Sequence, residues 1–238
     1  MNQAKTYEMQ TKAMAEGFVL AILNGASRFP AGRLATWNAG TCCGYARDTN
    51  SPDVNFVQDV IADIQSILPI NPKAIFATGM SNGGLMSYRL ACEMSDTFAA
   101  IAAVAGTDNT TTCQPNQKVA ILHIHALDDT HVLFNGGAGP DSFRDVGQVA
   151  EFTSVPNTID KWVSLNRLNP TPNRIFSVPG AYCDEYQGPD APPVKLCVTE
   201  VGGHSWTGNS RQTLSGATPS KAFSANDMIW DFFSQNYR

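Results

Sequence analysis

Short apolar runs alternate along the chain with stretches whose apolar residues recur at three- and four-residue spacing. That alternation predicts βα units and a mostly parallel sheet flanked by helices, an α/β fold. "YEMQTKAMAEG" predicts a helix that stops at Gly17, and "FVLAILNG" (18–25) predicts a buried strand ending in a turn. "DVNFVQDVIADIQSIL" (53–68) predicts a helix capped by Asp53. "AIFATGM" reads as the next strand and "GGLMSYRLACEM" as the next helix. "FAAIAAVAG" (98–106) and "VAILHIHAL" (119–127) are further predicted strands. "TIDKWVSLNR" (158–167) is a predicted helix with Trp162 on its apolar side. "NRIFSVPG" and "VKLCVTEVGG" read as the last strands, and "AFSANDMIWDFFSQN" (222–236) as an amphipathic closing helix. Between the first two units lies an irregular stretch, "GASRFPAGRLATWNAGTCCGYARDTNSP", and loops of that length are usually functional. No repeat or linker interrupts the pattern, so residues 1–238 read as one catalytic-size domain.

Composition narrows the classes without changing that reading. The 238 residues are 43% hydrophobic and 16% charged, ordinary for a compact protein with a full core. A net charge of -5 gives no basic footprint for nucleic acid. No apolar stretch approaches the ~20 residues of a membrane span. The opening "MNQAKTYEMQTK" lacks the apolar core of a secretory signal, so any such signal is expected outside this sequence. Cys183 and Cys197 flank a proline-rich turn, "CDEYQGPDAPPVKLC", as a local staple would. Cys42 and Cys43 are adjacent and are expected to take different partners, with Cys92 and Cys113 the candidates. Disulfides imply an oxidising compartment, secreted or periplasmic, and free core thiols are the alternative. No CxxC pair occurs and the four histidines lack zinc-motif spacing, so no metal site is predicted.

The chemistry starts at Gly79-Met80-Ser81-Asn82-Gly83, placed between a predicted strand and a predicted helix. This is the nucleophile-elbow pattern, in which a strained turn exposes a serine hydroxyl above the sheet. GxSxG alone is a weak signal, and its flanking strand and helix are what give it weight. Gly79 and Gly83 leave room for close approach of neighbouring chain. The helix dipole behind Ser81 favours negative charge there, and the Asn82 N–H is a donor for a developing oxyanion. A serine needs a base, and the base an orienting acid; in hydrolase order both follow the serine, acid first, at the ends of later strands. "VAILHIHALDDTHVLFNGG" supplies Asp128 and Asp129 just past a strand, one of which is a candidate turn former. "VTEVGGHSWTG" supplies His204 in a glycine-rich loop past the last strand. His123 and His125 lie inside a strand and read as packed histidines rather than catalytic ones. His131 is the weaker candidate for the base. Trp37, Tyr45, Phe134 and Trp206 are aromatic residues on loops near the proposed triad. Together they would suit a flat aromatic acyl group, with loop packing as the alternative for each. The reaction this chemistry predicts, ester hydrolysis through an acyl-enzyme, needs no metal or organic cofactor.

Taken together, "WNAGTCCGYA", "NPKAIFATGMSNGGLMSYRLACE", "FAAIAAVAG", "HIHALDDTHVLFNGG" and "VGGHSWTG" make the chain resemble the polyhydroxybutyrate-depolymerase-like esterases. That group includes feruloyl and acetylxylan esterases of the α/β-hydrolase fold, and the resemblance runs from about Thr11 to the C-terminus. It implies Ser81 as nucleophile, His204 as base and, from an H-G-x-x-D run matched by His125 to Asp129, Asp129 as acid. It also implies a bridge from the Cys42–Cys43 pair to Cys92, with Cys43 as the candidate partner. The implied substrate is a small or polymer-linked carboxylic ester, foremost a feruloyl or cinnamoyl ester. The alternatives are a short-chain polyester depolymerase, an acetylxylan esterase and, in another class, a catalytically impaired module binding carbohydrate or polyester.

One departure stands out. Members of that family begin with further strands and an H-G-G-type loop that gives the second oxyanion N–H, and this sequence starts after them. The expectation is a shortened sheet in one of three arrangements. "FVLAILNG" moves one lane to pair with "AIFATGM", a second copy fills the lane in a homo-oligomer, or the segment belongs to a longer native product. The second oxyanion donor is then expected from the backbone of Thr41 and Cys42.

Overall fold

The computed structural model describes residues 7–142, 151–210 and 216–238. Residues 1–6, which carry part of the signal-peptide reading, lie outside them. Six strands form one sheet: β1 (Phe76–Met80), β2 (Ala100–Val104), β3 (Ala120–Ala126), β4 (Asn173–Val178), β5 (Ala181–Gly188) and β6 (Ala191–Thr199). Their order is β1-β2-β3-β6-β5-β4. β1, β2, β3 and β6 run parallel, and β5 and β4 continue the sheet antiparallel. The helices are α1 (Met9–Glu16), α2 (Gly44–Asp48), α3 (Asp53–Ile67), α4 (Asn82–Glu93), α5 (Val155–Asn166) and α6 (Ala225–Gln235).

Period-two alternation on the central strands divides the core in two. Ile101, Ala103 and Ile121 pack with Leu85, Tyr88, Ile159 and Trp162 from α4 and α5. Ala100, Ala102, Leu122 and Ile124 face the other way, against Met9 of α1 and Ile229 and Phe232 of α6. β2 and β3 are buried on both faces, as their near-continuous apolar runs require. Helix ends follow local chemistry. Ser154 and Ser224 cap α5 and α6, each accepting the N–H three residues on. Gly17 closes α1 in the left-handed region at φ 77°.

Four expectations are corrected. Residues 18–25 are not a strand, and outside the named strands this region forms only the bridge Ala26–Thr36. Side chains hold the segment instead: Phe18 stacks on Trp230 of α6 at 4.5 Å, while Val19 and Ile22 are exposed. Among the described residues β1 consequently pairs with β2 alone and ends the sheet, half-buried along its whole length, so residues 18–25 do not shift into the lane beside it. Second, Asp53 does not cap α3. It is the first helical residue, and its carboxylate accepts from the Asn38 N–H and the Ser51 hydroxyl. Third, the stretch from Cys183 to Cys197 is more than a proline-rich turn: β5 and β6 form a hairpin in which the two cysteines face each other directly. Fourth, Cys43 does not bridge to Cys92. The pairs are Cys42–Cys43, Cys92–Cys113 and Cys183–Cys197. Cys92, at the end of α4, has the loop after β2 beside it, with Cys113 at a Cα separation of 5.1 Å.

Candidate active site

Ser81 sits between β1 and α4 at φ 55°, ψ −124°, a conformation a non-glycine residue holds only when its surroundings impose it. The constraints are specific. Its N–H donates to the Val104 carbonyl, extending the β1–β2 ladder into the turn, and its carbonyl accepts from Leu85. A Cβ at Gly79 would lie 2.5 Å from the Gly83 backbone, and one at Gly106 would lie 2.3 Å from the Ser81 carbonyl. Both glycines are therefore required by close approach. Gly83 is not required in this way, since a Cβ there would meet open space. Asn82 opens α4, and its side chain grips Trp37 from both sides: Oδ1 accepts the Trp37 N–H at 2.7 Å and Nδ2 donates to the Trp37 carbonyl at 3.0 Å. The long loop is thereby tied to the elbow.

At the carboxyl ends of β3 and β6 the polar residues are densely connected. Asp129 is 2% exposed, and both of its oxygens are occupied. Oδ1 accepts the backbone N–H groups of His131 at 2.8 Å and Val132 at 3.0 Å. Oδ2 faces His204 Nδ1 at 2.9 Å and His125 Nε2 at 3.3 Å. Burial alone would raise the Asp129 pKa, but the hydrogen bonds from His125 and His204 outweigh it and hold the carboxyl well below its usual range. An ionised Asp129 can only accept, so His204 Nδ1 carries a proton, and in the neutral imidazole Nε2 then presents the lone pair. Asp128 takes the loop backbone: its carboxylate accepts the N–H of Gly203 at 2.7 Å and of Gly202 at 3.3 Å. One aspartate thus holds the backbone before His204 and the next holds its ring. His131 stacks on the His204 ring, centroids 4.5 Å apart. Burial, and then the proximity of the His204 ring whenever that ring is protonated, push the His131 pKa down.

Ser81, Asp129 and His204 therefore all follow the carboxyl ends of parallel strands, on one rim of the sheet. Asp129 and His204 are in contact; among the described residues no hydrogen bond joins the Ser81 hydroxyl to His204. Such contacts are often long in unliganded enzymes and close in the substrate complex.

The remaining expected site residues divide. Trp37 is half-buried beside the elbow, and Tyr45 is 40% exposed on α2. Phe134 packs its ring against the edge of His125. Trp206 does not line a pocket. It is 4% exposed, stacked on Tyr7 at 4.5 Å, and its indole N–H donates to Asn226 of α6. A large ring with one satisfied polar atom belongs to the core there. Thr41 is not open as an oxyanion donor, because its N–H donates to the Asn109 carbonyl at 3.1 Å. A groove of about 650 Å³ runs beside the His204 loop, lined by Asp128, Thr130, Gly203 and Lys221 among others; neither Ser81 nor His204 lines it. By distance, Asp129, His131 and His204 could gather round a cation, but the Asp129 oxygens and His204 Nδ1 already bond one another and the backbone.

Sequence reading missed two things here: the Asn82 grip on Trp37 and the involvement of His125 with Asp129. The second had a signal. Two histidines two apart on a strand that is otherwise apolar point to one buried face, and buried imidazoles need partners.

A mostly parallel sheet flanked by helices, with a strained serine elbow at the end of one strand and an Asp–His pair past two others, is an α/β-hydrolase-type fold. No protein-family model matches the chain. Among curated proteins it is 31% identical over 200 residues to feruloyl esterase B of Piromyces equi, covering 81% of this chain and 35% of that protein. It is 36% identical over 98 residues to a probable feruloyl esterase C of Aspergillus niger, 41% of this chain and 36% of that one. It is 26% identical over 239 residues to the putative esterase NocK of Nocardia uniformis, 94% of this chain and 67% of that one. The chain thus spans little more than a third of the two feruloyl esterases and two thirds of the Nocardia protein. Its similarity is to proteins named as esterases.

Proposed function

We propose that this protein is a serine carboxylesterase acting on feruloyl or cinnamoyl-type esters through an acyl-enzyme. The observation that carries the reading is the strained Ser81 elbow on the same rim as a buried Asp129 hydrogen-bonded to the part-buried His204. In the proposed cycle His204 Nε2 takes the proton from Ser81 Oγ as that oxygen attacks the ester carbonyl. Asp129 keeps the proton on Nδ1 and stabilises the imidazolium. The Asn82 N–H, first in α4, donates to the oxyanion, and the helix dipole behind it adds to the effect. The tetrahedral intermediate collapses as the imidazolium protonates the leaving alcohol. Water, deprotonated by His204, then releases the acid and restores Ser81.

The aromatic acyl preference draws on the names of the relatives and on Trp37, held against the elbow by Asn82. The three cysteine pairs support an oxidising compartment, secreted or periplasmic. Turnover of methyl ferulate and p-nitrophenyl acetate by wild type and Ser81→Ala tests the reading. Turnover by the wild type alone is expected, and equal turnover by both proteins would reject it. A polyester depolymerase or acetylxylan esterase would turn over those polymers in preference to methyl ferulate. A second reading, a binding module without activity, draws on the absent Ser81–His204 hydrogen bond. It is distinguished by a wild type that binds feruloylated polymer and hydrolyses none of these esters.

A further inference from the structure

Three buried side chains behind Asp129 have no part in the cycle above. Tyr88 of α4 places its hydroxyl 2.7 Å from His123 Nδ1. His123 Nε2 is 3.1 Å from His125 Nδ1. His125 Nε2 lies 2.8 Å from the Val132 carbonyl and 3.3 Å from Asp129 Oδ2. All three are among the largest fully buried side chains of the described residues. The two imidazoles are stacked almost parallel, 4° apart with centroids at 5.2 Å.

With neutral rings, one arrangement of protons satisfies the three hydrogen bonds from Tyr88 to the Val132 carbonyl. A carbonyl only accepts, so His125 Nε2 carries a proton and its Nδ1 accepts. His123 Nε2 must then donate to it, leaving His123 Nδ1 to accept from the Tyr88 hydroxyl. Burial supports this assignment at the two groups farthest from Asp129: it keeps the Tyr88 phenol protonated and the His123 ring neutral. The row of donors therefore runs from Tyr88 to the Val132 carbonyl, with Asp129 Oδ2 beside the last proton at 3.3 Å. Aligned hydrogen bonds polarise one another in a low-dielectric interior.

The geometry points to His125, backed by His123 and Tyr88, as a positioning residue that fixes the Asp129 carboxylate and through it the orientation of the His204 ring. The inference rests on Asp129 being the triad acid. The backbone N–H groups of His131 and Val132 fix one carboxylate oxygen, and His125 is the only side chain besides His204 among the described residues that reaches the other. The titratable groups facing this site are Tyr88 from α4, His123 from β3, His131 from the loop after β3 and His204 from the loop after β6.

The test compares His125→Met, which keeps the volume and removes the donor, with His125→Gln, which keeps an amide N–H. Three quantities are read: kcat and KM on methyl ferulate, the thermal midpoint, and the low-field NMR resonance of the His204 Nδ1 proton in the resting protein. His125→Met is expected to lower kcat by about 10- to 100-fold with KM within twofold and to broaden or move the proton resonance. His125→Gln is expected to recover most of both. A folded His125→Met with wild-type kcat and resonance overturns the inference, as does a Gln variant no better than Met. Should His125→Met not fold, Tyr88→Phe decides. A shifted resonance with a small drop in kcat supports the polarised row, and an unchanged resonance and kcat overturn it. Because the resonance is read without substrate, this failure is separable from failure of the esterase reading, which Ser81→Ala measures.

Discussion

The two ends of the proposed triad are built differently. The Asp129–His204 end is a buried polar cluster in which both carboxylate oxygens are engaged and a row of donors stands behind one of them. The Ser81 end is backbone geometry: a strained residue closing an edge strand, held by glycine contacts, one ladder bond and the start of a helix. Orientation at the first end is stored in side-chain hydrogen bonds, and at the second in chain conformation. Substitutions should therefore act differently at the two. Side-chain changes near Asp129 should lower turnover in a folded protein, whereas backbone changes near Ser81 should impair the fold itself.

The largest expected effect is on chemistry. Asp129→Asn leaves the shape intact but removes the acceptor that sets the His204 tautomer, and kcat should fall by about 10⁴-fold, measured on methyl ferulate. Gly79→Ala should fail to give a native fold, since its methyl would overlap the Gly83 backbone; circular dichroism and thermal melting check this. Trp206→Ala should cost about 3–5 kcal/mol of stability, read by denaturant unfolding. A wall residue of an open pocket would cost much less. Acid sensitivity follows from the cluster. Burial and the neighbouring His125 hold the His123 pKa well below normal, so under about pH 6.5 the unfolded chain binds more protons than the folded one. Stability should be full above that pH and fall as the pH drops beneath it. Asp129, with its lowered pKa, adds a second loss below the ordinary carboxylate range. Unfolding midpoints across pH should show both losses, and Asp129→Asn should lack the second. The smallest effect is expected from Asn82→Ala. It keeps the oxyanion N–H but frees Trp37, and should raise KM for methyl ferulate several-fold, about 1 kcal/mol, with little change for p-nitrophenyl acetate.

The same contrast explains what could be read in the sequence. The elbow was legible because most of its requirements are local: an apolar strand, Gly79 and a helix, all within residues 74–93, whereas Gly106 reaches it from the end of the next strand. Asp129 and His204 were legible as polar residues just past strands. Residues 18–25 misled because an apolar run shows burial propensity and says nothing of whether a neighbouring strand is present to pair with it. β5 went unread because "AYCDEYQG" is polar on its exposed stretches, and its pairing depends on the β6 hairpin rather than on its own pattern. Trp206 was placed at the pocket from its distance to His204 in sequence, yet Gly202, Gly203 and Gly208 turn the loop so that Trp206 faces α6. The cysteine pairing depends on how α4 and the loop after β2 meet, which sequence spacing does not encode.

Covalent labelling by a fluorophosphonate probe, mapped by mass spectrometry, tests the central claim most directly, because only an activated serine reacts. The account predicts stoichiometric modification at Ser81 in the wild type, lost in His204→Ala. An unlabelled wild type, or equal labelling of wild type and His204→Ala, would contradict it.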